Sequence, residues 1–285
     1  MKILVTGENG QLGSELKKIS YLDNNFEWIF TNRHLFDISI LDSINIYLNK
    51  CKPNVIINCA AYTAVDKAEN DFELADTVNH KAVSLIAEWC NYNNCNLLHI
   101  STDYVFDGNS SLPYFETDQT NPLNNYGKTK LLGDIACLRN KPSSIVIRTG
   151  WLYSGFGDNF LLKMINLMQS KDEIKVINDQ FGSPTHAEDL ANVILHIIRY
   201  KKWLPGVYNY TNRGNISWYD FANEIKAIYG FRTTIKPISS KNYSQKAKRP
   251  KYSILDNSKI INLYNVTQMN YLDSLKNCIK IVKIK

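Results

Sequence analysis

Five short apolar runs in the first half of the chain constrain its fold more than any other feature. They read KILVTG, EWIFTN, VIINCAA, NLLHIST and SIVIRTG, and segments of helical length begin between them near Gln11, Ser39, Phe72 and Tyr126. Continuous apolar runs suit strands that are covered on both faces, and strands that alternate with helices form parallel sheets through right-handed crossovers. We therefore predict an α/β fold with a doubly wound parallel sheet of the Rossmann type.

The pattern changes after Trp151. Three helical patterns lie between residues 159 and 229, and turn-rich stretches such as NDQFGSPTH and YTNRGN separate them. We predict a dinucleotide-binding domain over residues 1–150. Residues 151–285 should form mainly a smaller C-terminal substrate-binding lobe, some of whose elements return to the first domain.

The composition excludes several classes of protein. Apolar residues make up 44% of the 285 positions and charged residues 21%, which is ordinary for a globular chain, and the net charge of +6 is scattered, so no nucleic-acid partner is predicted. The six cysteines form no C-x-x-C pair and the histidines no metal-ligand cluster, so we expect reduced thiols. With neither a signal-peptide pattern nor a membrane-length apolar stretch, we expect a soluble, cytoplasmic protein without a membrane partner.

The first predicted strand leads into a glycine-rich turn that opens a helix. Gly7, Gly10 and Gly13 form a G-x-x-G-x-x-G run. Glycines let the backbone approach a pyrophosphate closely, and the free N–H groups and dipole of a helix start attract the anion. A tight turn that serves chain geometry alone is the alternative, but the strand before the turn and the helix after it favour a dinucleotide cofactor.

The end of the second strand bears on the choice of cofactor. An acid about 20 residues after the glycine run would hold the ribose hydroxyls of NAD, but the chain reads Thr31-Asn32-Arg33 there. Arginine can bind a 2′-phosphate through a bidentate fork, although Arg33 could equally be a solvent-exposed cation. We predict NADPH as the preferred cofactor, with some use of NADH.

A tyrosine and a lysine begin the helix after the fourth strand. Tyr126 and Lys130 are four residues apart and share a helix face, so we expect the ammonium to favour the phenolate and to lower the pKa of the tyrosine. Such a phenol can donate a proton to a developing alkoxide. Thr102 ends the fourth strand, where its hydroxyl can hydrogen-bond a substrate carbonyl. Chance spacing and strand packing are the alternatives, but the three residues in this order favour a catalytic site.

Longer motifs around these residues resemble a known family. They read TGENGQLG, INCAAYTAVDKAE, STDYVFDG, NPLNNYGKTKLLGD, IRTGWLY, NDQFGSPTHAEDLA and KRPKYSILDNSK. They are similar to motifs of the extended short-chain dehydrogenases and, within them, of the dTDP-4-dehydrorhamnose reductases. The resemblance covers nearly the whole chain. It implies NADPH-dependent reduction of the C4 keto group of dTDP-4-dehydro-L-rhamnose to dTDP-L-rhamnose, a precursor of surface polysaccharide.

The resemblance also implies roles for individual residues. Tyr126 is then the proton donor, Lys130 holds the nicotinamide ribose, and Thr102 polarises the carbonyl. The cofactor-binding residues, besides Gly7, Gly13, Arg33, Tyr126 and Lys130, are Gly10, Gln11, Leu12, Asp37, Ile38, Ala60, Ala61, Tyr62 and Thr63. The sugar-binding residues, besides Thr102, are Asp103, Tyr104 and Trp151. Packing in the core is the alternative role for Ala60, Ala61, Tyr62, Tyr104 and Trp151. Arg249 either contacts a diphosphate or only caps the surface.

Several alternatives remain open. Some relatives dimerise through magnesium held by glutamates, and Glu15 and Glu188 match two such positions, but no third carboxylate aligns. We therefore assign no metal ligands, keep Mg²⁺ as an open alternative, and leave monomer and homodimer open. Gly150 departs from the family, where a hydroxyl residue is frequent. The other functions considered are a different dTDP-4-keto-6-deoxysugar reductase, a non-catalytic protein like the methionine adenosyltransferase regulatory subunit, and an NAD-retaining epimerase or dehydratase. The intact catalytic trio disfavours the second, and the missing carboxylate at the second strand disfavours the third.

Overall fold

A computed structural model describes residues 1–282 of the chain. The strands are β1 Lys2–Thr6, β2 Glu27–Thr31, β3 Val55–Asn58, β4 Asn96–Thr102, β5 Ile145–Thr149, β6 Leu152–Tyr153, β7 Glu173–Ile177, β8 Phe181–Gly182, β9 Thr185–His186, β10 Gly206–Asn209, β11 Ile216–Ser217 and β12 Thr234–Ile238. The α-helices are α1 Gln11–Ser20, α2 Leu41–Cys51, α3 Val65–Ala68, α4 Phe72–Asp76, α5 Ala82–Tyr92, α6 Asn125–Asn140, α7 Phe160–Ser170, α8 Ala187–Arg199, α9 Trp218–Tyr229, α10 Ser258–Tyr264 and α11 Tyr271–Ile281. A π-helical turn, Thr77–Lys81, joins α4 to α5.

The central sheet has six strands in the order β10-β5-β4-β3-β1-β2, and all its pairs are parallel. The predicted α/β fold class with a doubly wound parallel sheet is confirmed, as are all five predicted strands. The sixth strand, β10, was not predicted. It comes from the second half of the chain and extends the sheet beyond β5.

Apolar layers cover both faces of this sheet, which is why its strands read as continuous apolar runs. On one face α2, α5 and α6 bury side chains against Leu4, Ile56 and Leu97. On the other face α1, α8 and α10 bury theirs against the alternate positions of the same strands, including Val5 and Leu98. The carboxyl ends of the strands therefore remain the open edge of the sheet, where α/β proteins bind ligands.

A separate apolar cluster forms in the second half of the chain. Leu161 of α7, Phe221 of α9 and Ile235 of β12 pack together there, and β12 pairs with β7. Helix α9 begins with a capping box between Ser217 and Asp220, which fixes the start of the helix. We keep the division near residue 150 as a proposal, with β10 and α8 as the elements that return to the first sheet.

Two further expectations concern membrane-spanning helices and disulfide bonds. Within residues 1–282, none of the helices combines the length and the apolar character that crossing a membrane requires. None of the six cysteines forms a disulfide.

Candidate active site

The glycine turn has the geometry of an anion-binding site. Gly7 has φ +72, and a Cβ there would lie 2.9 Å from the backbone of Ala60. A Cβ on Gly13 would overlap the carbonyl oxygen of Gly7. Gly10 precedes α1, and no side chain caps the helix start. The first N–H groups of α1 are therefore available to an anion, and a pyrophosphate at this turn stays a prediction.

The residues after the second glycine have different roles. Gln11 donates from Nε2 to the carbonyl of Leu152 at 3.2 Å and accepts from the hydroxyl of Ser154 at 3.2 Å. Its side chain thus ties the turn to the second half of the chain. Leu12 is buried in the core, so only its backbone is left for a cofactor.

The predicted adenine side of the site is formed by the segment after β2. Arg33 is exposed, and no ion pair involves it within the described part of the chain. Asp37 Oδ1 accepts hydrogen bonds from the backbone and hydroxyl of Ser39, and Ile38 is buried in the core. The Arg33 guanidinium, which has no ion-pair partner among the described residues, and the hydrogen-bonded Asp37 carboxylate therefore both lie just after β2.

The segment after β3 lies beside the glycine turn. The N–H of Ala60 donates to Thr6 Oγ1 at 3.1 Å, and Ala61 is half-buried. Tyr62 donates its hydroxyl to Asp71 at 2.8 Å, which commits its polar end to the protein, while Thr63 is exposed. The small alanines let the two loops approach each other closely.

A carboxylate lies at the end of β2 although the sequence of β2 contains none there. The N–H of Glu8 donates to the carbonyl of Thr31 at 3.0 Å, and Glu8 Oε1 accepts from Asn32 Nδ2 at 2.6 Å. Glu8 Oε2 pairs with Lys17 Nζ at 2.7 Å. The expectation that the end of β2 lacks an acid is therefore wrong, because Glu8 reaches it from the glycine turn that follows the neighbouring strand β1.

Thr102 and Tyr126 meet at the carboxyl end of β4. The Thr102 hydroxyl accepts from the N–H of Tyr104 at 3.2 Å and donates to Asp103 at 3.1 Å. It is also near enough to the Tyr126 phenol to influence the pKa of that group. Burial raises the pKa of Tyr126 to about 12, and the Thr102 contact opposes this only in part. The predicted lowering of this pKa is wrong for the protein alone, because desolvation outweighs every nearby favourable contact. The phenol is consequently protonated and able to donate.

Lys130, which follows Tyr126 by one turn of α6, is almost completely buried. Its ammonium donates to the carbonyl oxygen of Ile100, and Nζ lies 3.4 Å from His99 Nε2. Burial lowers the pKa of Lys130 to about 8, and Asp134 counters the shift by favouring the charged form. The lysine nitrogen is thus held by β4 and not by the phenol.

A row of polar side chains crosses the sheet to reach this lysine. Thr6, Asn58 and His99 are neighbours in the strand register and are all buried. Thr6 donates to Asn58 Oδ1 at 2.7 Å, and Asn58 Nδ2 lies 3.1 Å from His99 Nδ1. An amide nitrogen only donates, so His99 Nδ1 accepts and the proton of the neutral ring is on Nε2, facing Lys130. Burial, and then the Lys130 charge, hold the pKa of His99 well below its usual value.

Asp134 completes this buried cluster from the next turn of α6. Its Oδ2 accepts from Arg148 Nε at 3.3 Å, while Oδ1 lies 3.9 Å from His99 Nε2 and has no hydrogen-bond partner within the described residues. Neither His99 nor Asp134 was identified as a site residue from the sequence. The signals were a histidine inside the apolar run NLLHIST and an acid eight residues after Tyr126, on the same helix face.

Asp103 is a buried acid in the predicted sugar site. Burial raises its pKa to about 6, although hydroxyls of Ser253 and Thr102 lower it in part. Its Oδ2 has no hydrogen-bond partner among residues 1–282, and a Cβ on Gly150 would lie 2.7 Å from that oxygen. The carboxylate thus fills the space that a larger residue at position 150 would need.

Tyr104 links Tyr126 to a basic loop. Its ring lies edge-on to that of Tyr126, with the centroids 5.9 Å apart. Burial raises the pKa of Tyr104, and the nearby Arg249 cation opposes that rise. The Arg249 guanidinium pairs with Asp66 at 2.7 Å. Asn124, which caps α6, also donates to the carbonyl of Lys248 at 2.8 Å. Arg249 is thus held by Asp66, and its contact with a diphosphate stays a prediction.

Trp151 has an unusual backbone conformation for a large residue, with φ +50. Its ring stacks on Trp218, with centroids 3.4 Å apart and planes 3° apart, and a side chain on Gly182 would overlap it. The ring is therefore fixed from two sides. Trp218 was missed because a tryptophan at a helix start is most simply explained as core.

The two glutamates that resemble metal ligands do come together. Glu15, His186 and Glu188 each offer a ligand atom, and these atoms lie within 4.8 Å of one another. Lys18 Nζ, however, lies 3.5 Å from Glu15 Oε2 and 3.2 Å from Glu188 Oε1. This ammonium already compensates the two carboxylates, so the arrangement does not require a metal.

Comparisons with known proteins match the chain over its length. The family model described as RmlD substrate binding domain matches residues 1–284. A dTDP-4-dehydrorhamnose reductase from Aggregatibacter actinomycetemcomitans is 36% identical over 97% of each chain. A dTDP-4-keto-6-deoxy-D-glucose reductase from Streptomyces niveus is also 36% identical, over 88% of this chain and 87% of its own. The crystal structure of a Bacillus anthracis dTDP-4-dehydrorhamnose reductase in complex with NADP has a TM-score of 0.93, at 33% identity over 98% of both chains.

Proposed function

The chain belongs to the RmlD substrate binding domain family, and from that membership and the site geometry we propose that it is an NADPH-dependent dTDP-4-dehydrorhamnose reductase. The reaction reduces the C4 keto group of dTDP-4-dehydro-L-rhamnose to the alcohol of dTDP-L-rhamnose. The observation that carries the proposal is the meeting of Thr102 and Tyr126 at the carboxyl end of β4, in a chain whose relatives are named for this reaction.

The residues fit a nicotinamide cofactor. The uncapped start of α1 would take the pyrophosphate, and Gly7, Gly10 and Gly13 allow the close approach. The adenosine end would lie toward Arg33, and Lys130 would hold the nicotinamide ribose from below. When bound, the reduced nicotinamide supplies the hydride to the keto carbon.

The protein's own residues would manage the proton and the carbonyl oxygen. Tyr126 is protonated at neutral pH, so its phenol can donate a proton to the oxygen as it gains negative charge. Thr102 would turn its hydroxyl proton from Asp103 to the same oxygen and so stabilise that charge. The Lys130 ammonium favours the phenolate that remains. Asp103, Tyr104 and Trp151 would line the sugar, and Arg249 would stand near the diphosphate.

A second candidate is reduction of a different dTDP-4-keto-6-deoxysugar. It is favoured by the Streptomyces niveus relative, which has the same 36% identity as the Aggregatibacter enzyme, although over 88% of this chain instead of 97%. Both candidates use the same proton donor and cofactor site. They differ in the face of the sugar presented to the hydride or in the epimer that is bound, and contacts in the sugar site would determine both. We propose no role for magnesium and leave monomer and homodimer open.

Product analysis tests the proposal. Purified protein is incubated with NADPH and enzymatically made dTDP-4-dehydro-L-rhamnose, and the product is identified by NMR. We expect dTDP-L-rhamnose. The Tyr126→Phe variant should lose at least about a hundredfold in kcat while binding NADPH normally, because only the proton donor is removed. Turnover of a different keto sugar alone would support the second candidate, and near-normal turnover by Tyr126→Phe would refute the assigned chemistry.

A further inference from the structure

Glu8 occupies a position that its place in the sequence does not reveal. It follows the first glycine of the turn, yet its carboxylate reaches across to the end of β2 and bonds Asn32 at 2.6 Å. The backbone hydrogen bond from Glu8 to Thr31 keeps the two strand ends together. The side chain is mostly buried, at 8% exposure, so its position is well determined by its surroundings.

A carboxylate at this place has a known physical consequence. Dinucleotide-binding folds use an acid at the end of the second strand to accept hydrogen bonds from the adenosine ribose hydroxyls. The same negative charge repels the 2′-phosphate of NADPH. A carboxylate can accept about four hydrogen bonds, and within the described residues Glu8 has polar side-chain contacts only with Asn32 and Lys17. It therefore retains acceptor capacity for a ribose.

Two cations oppose this carboxylate. Arg33 follows Asn32 directly and is exposed. Lys17 pairs with Glu8 Oε2 at 2.7 Å, and nearly half of the lysine side chain is open to solvent. Both favour a phosphate, whereas Glu8 favours a free diol. The site therefore combines features of NAD and NADP selection within a few residues.

We propose that Glu8 is a cofactor-specificity residue that opposes Arg33 and lets this site use NADH beside NADPH. The inference rests on the proposed function, because it concerns the adenosine end of the same cofactor site. It would account for the predicted use of NADH beside NADPH, which the sequence of β2 alone does not explain.

A purely structural role for Glu8 makes a different prediction. If the side chain only ties the glycine turn to α1 and β2, then breaking its ion pair from either end should have the same effect on both cofactors. Glu8→Gln keeps the shape and the acceptor for Asn32 but removes the charge. Lys17→Met breaks the same ion pair and leaves the carboxylate uncompensated, which makes it the matched control.

The test measures the dissociation constants of NADPH and NADH by the fluorescence of the bound nicotinamide, without any sugar. We expect Glu8→Gln to shift the NADPH-to-NADH affinity ratio about tenfold toward NADPH, because a unit charge is removed beside the 2′-position. Lys17→Met and Arg33→Ala should each shift the ratio toward NADH.

Each outcome has a distinct meaning. Opposite shifts in Glu8→Gln and Lys17→Met support the proposal. Equal changes for both cofactors, or shifts of the two variants in the same direction, overturn it and leave the reductase function intact. If the unaltered protein binds neither cofactor, the proposed function and this inference both fail.

Discussion

Replacing Asp103 by asparagine should stabilise the protein at neutral pH but not in acid. The buried carboxyl has a pKa of about 6, compared with an ordinary value of 3.8, because desolvation disfavours its charged form. That difference corresponds to roughly 3 kcal/mol, which we take as an upper limit. The amide of Asp103→Asn keeps an acceptor for the Thr102 hydroxyl, so the substitution mainly removes the charge.

The sign follows from proton binding in the two states. Between pH 3.8 and about 6 the folded protein holds the Asp103 proton more tightly than the unfolded chain does. The contribution of this group to the free energy of unfolding therefore falls as the pH rises through that range. Because an asparagine amide does not ionise, Asp103→Asn does not lose stability as the pH rises through this range. Its stability relative to the unaltered protein should thus increase from about pH 4 to pH 7.

Urea unfolding measured from pH 4 to pH 7.5 checks this prediction. The control is Asp66→Asn, because the Arg249 hydrogen bond helps to hold the pKa of Asp66 below its ordinary value against the opposing effect of burial. The Asp66 carboxylate stabilises the fold at pH values above its ordinary pKa, and this stabilisation is lost as the pH falls through its lowered pKa. Asp66→Asn should therefore be less stable than the unaltered protein at neutral pH. A stability difference for Asp103→Asn that does not change with pH would refute the reasoning. We also expect reduced turnover, which would explain why a destabilising acid is retained.

Three further predictions concern the site. We expect activity to fall at alkaline pH as Lys130, whose pKa is about 8, loses its proton. His99→Leu should move this limit to higher pH because it removes the ring N–H that faces the ammonium, whereas Asp134→Asn should move it to lower pH because it removes a charge that favours the ammonium. The measurement is a pH–rate profile, and Leu98→Ala, on the other face of β4, is the control for general destabilisation. Gly13→Ala should abolish cofactor binding without unfolding the chain, as measured by NADPH fluorescence and circular dichroism, because the added Cβ overlaps the backbone of the glycine turn. Asp66→Asn should raise the KM for the nucleotide sugar more than that for NADPH in steady-state kinetics, because it frees the basic loop.

The sequence by itself determined the parallel sheet, the glycine turn and the order of the catalytic candidates. These are local properties: an apolar run, a turn that needs glycine and a four-residue helix spacing can all be recognised within a few positions of the chain. Tyr126 and Thr102 were identified in this way, and the structure brings their side chains together.

Only the tertiary structure decided which groups share an environment. Strand pairing places Thr6, Asn58 and His99 in one row, although 93 positions separate the first from the last in the numbering. Pairing of β1 with β2 likewise carries Glu8 to a place where the local sequence shows only a cation. Burial then reversed the expected direction of the Tyr126 pKa. The physical reason is that sheet register and desolvation depend on contacts between distant segments, which no local pattern records.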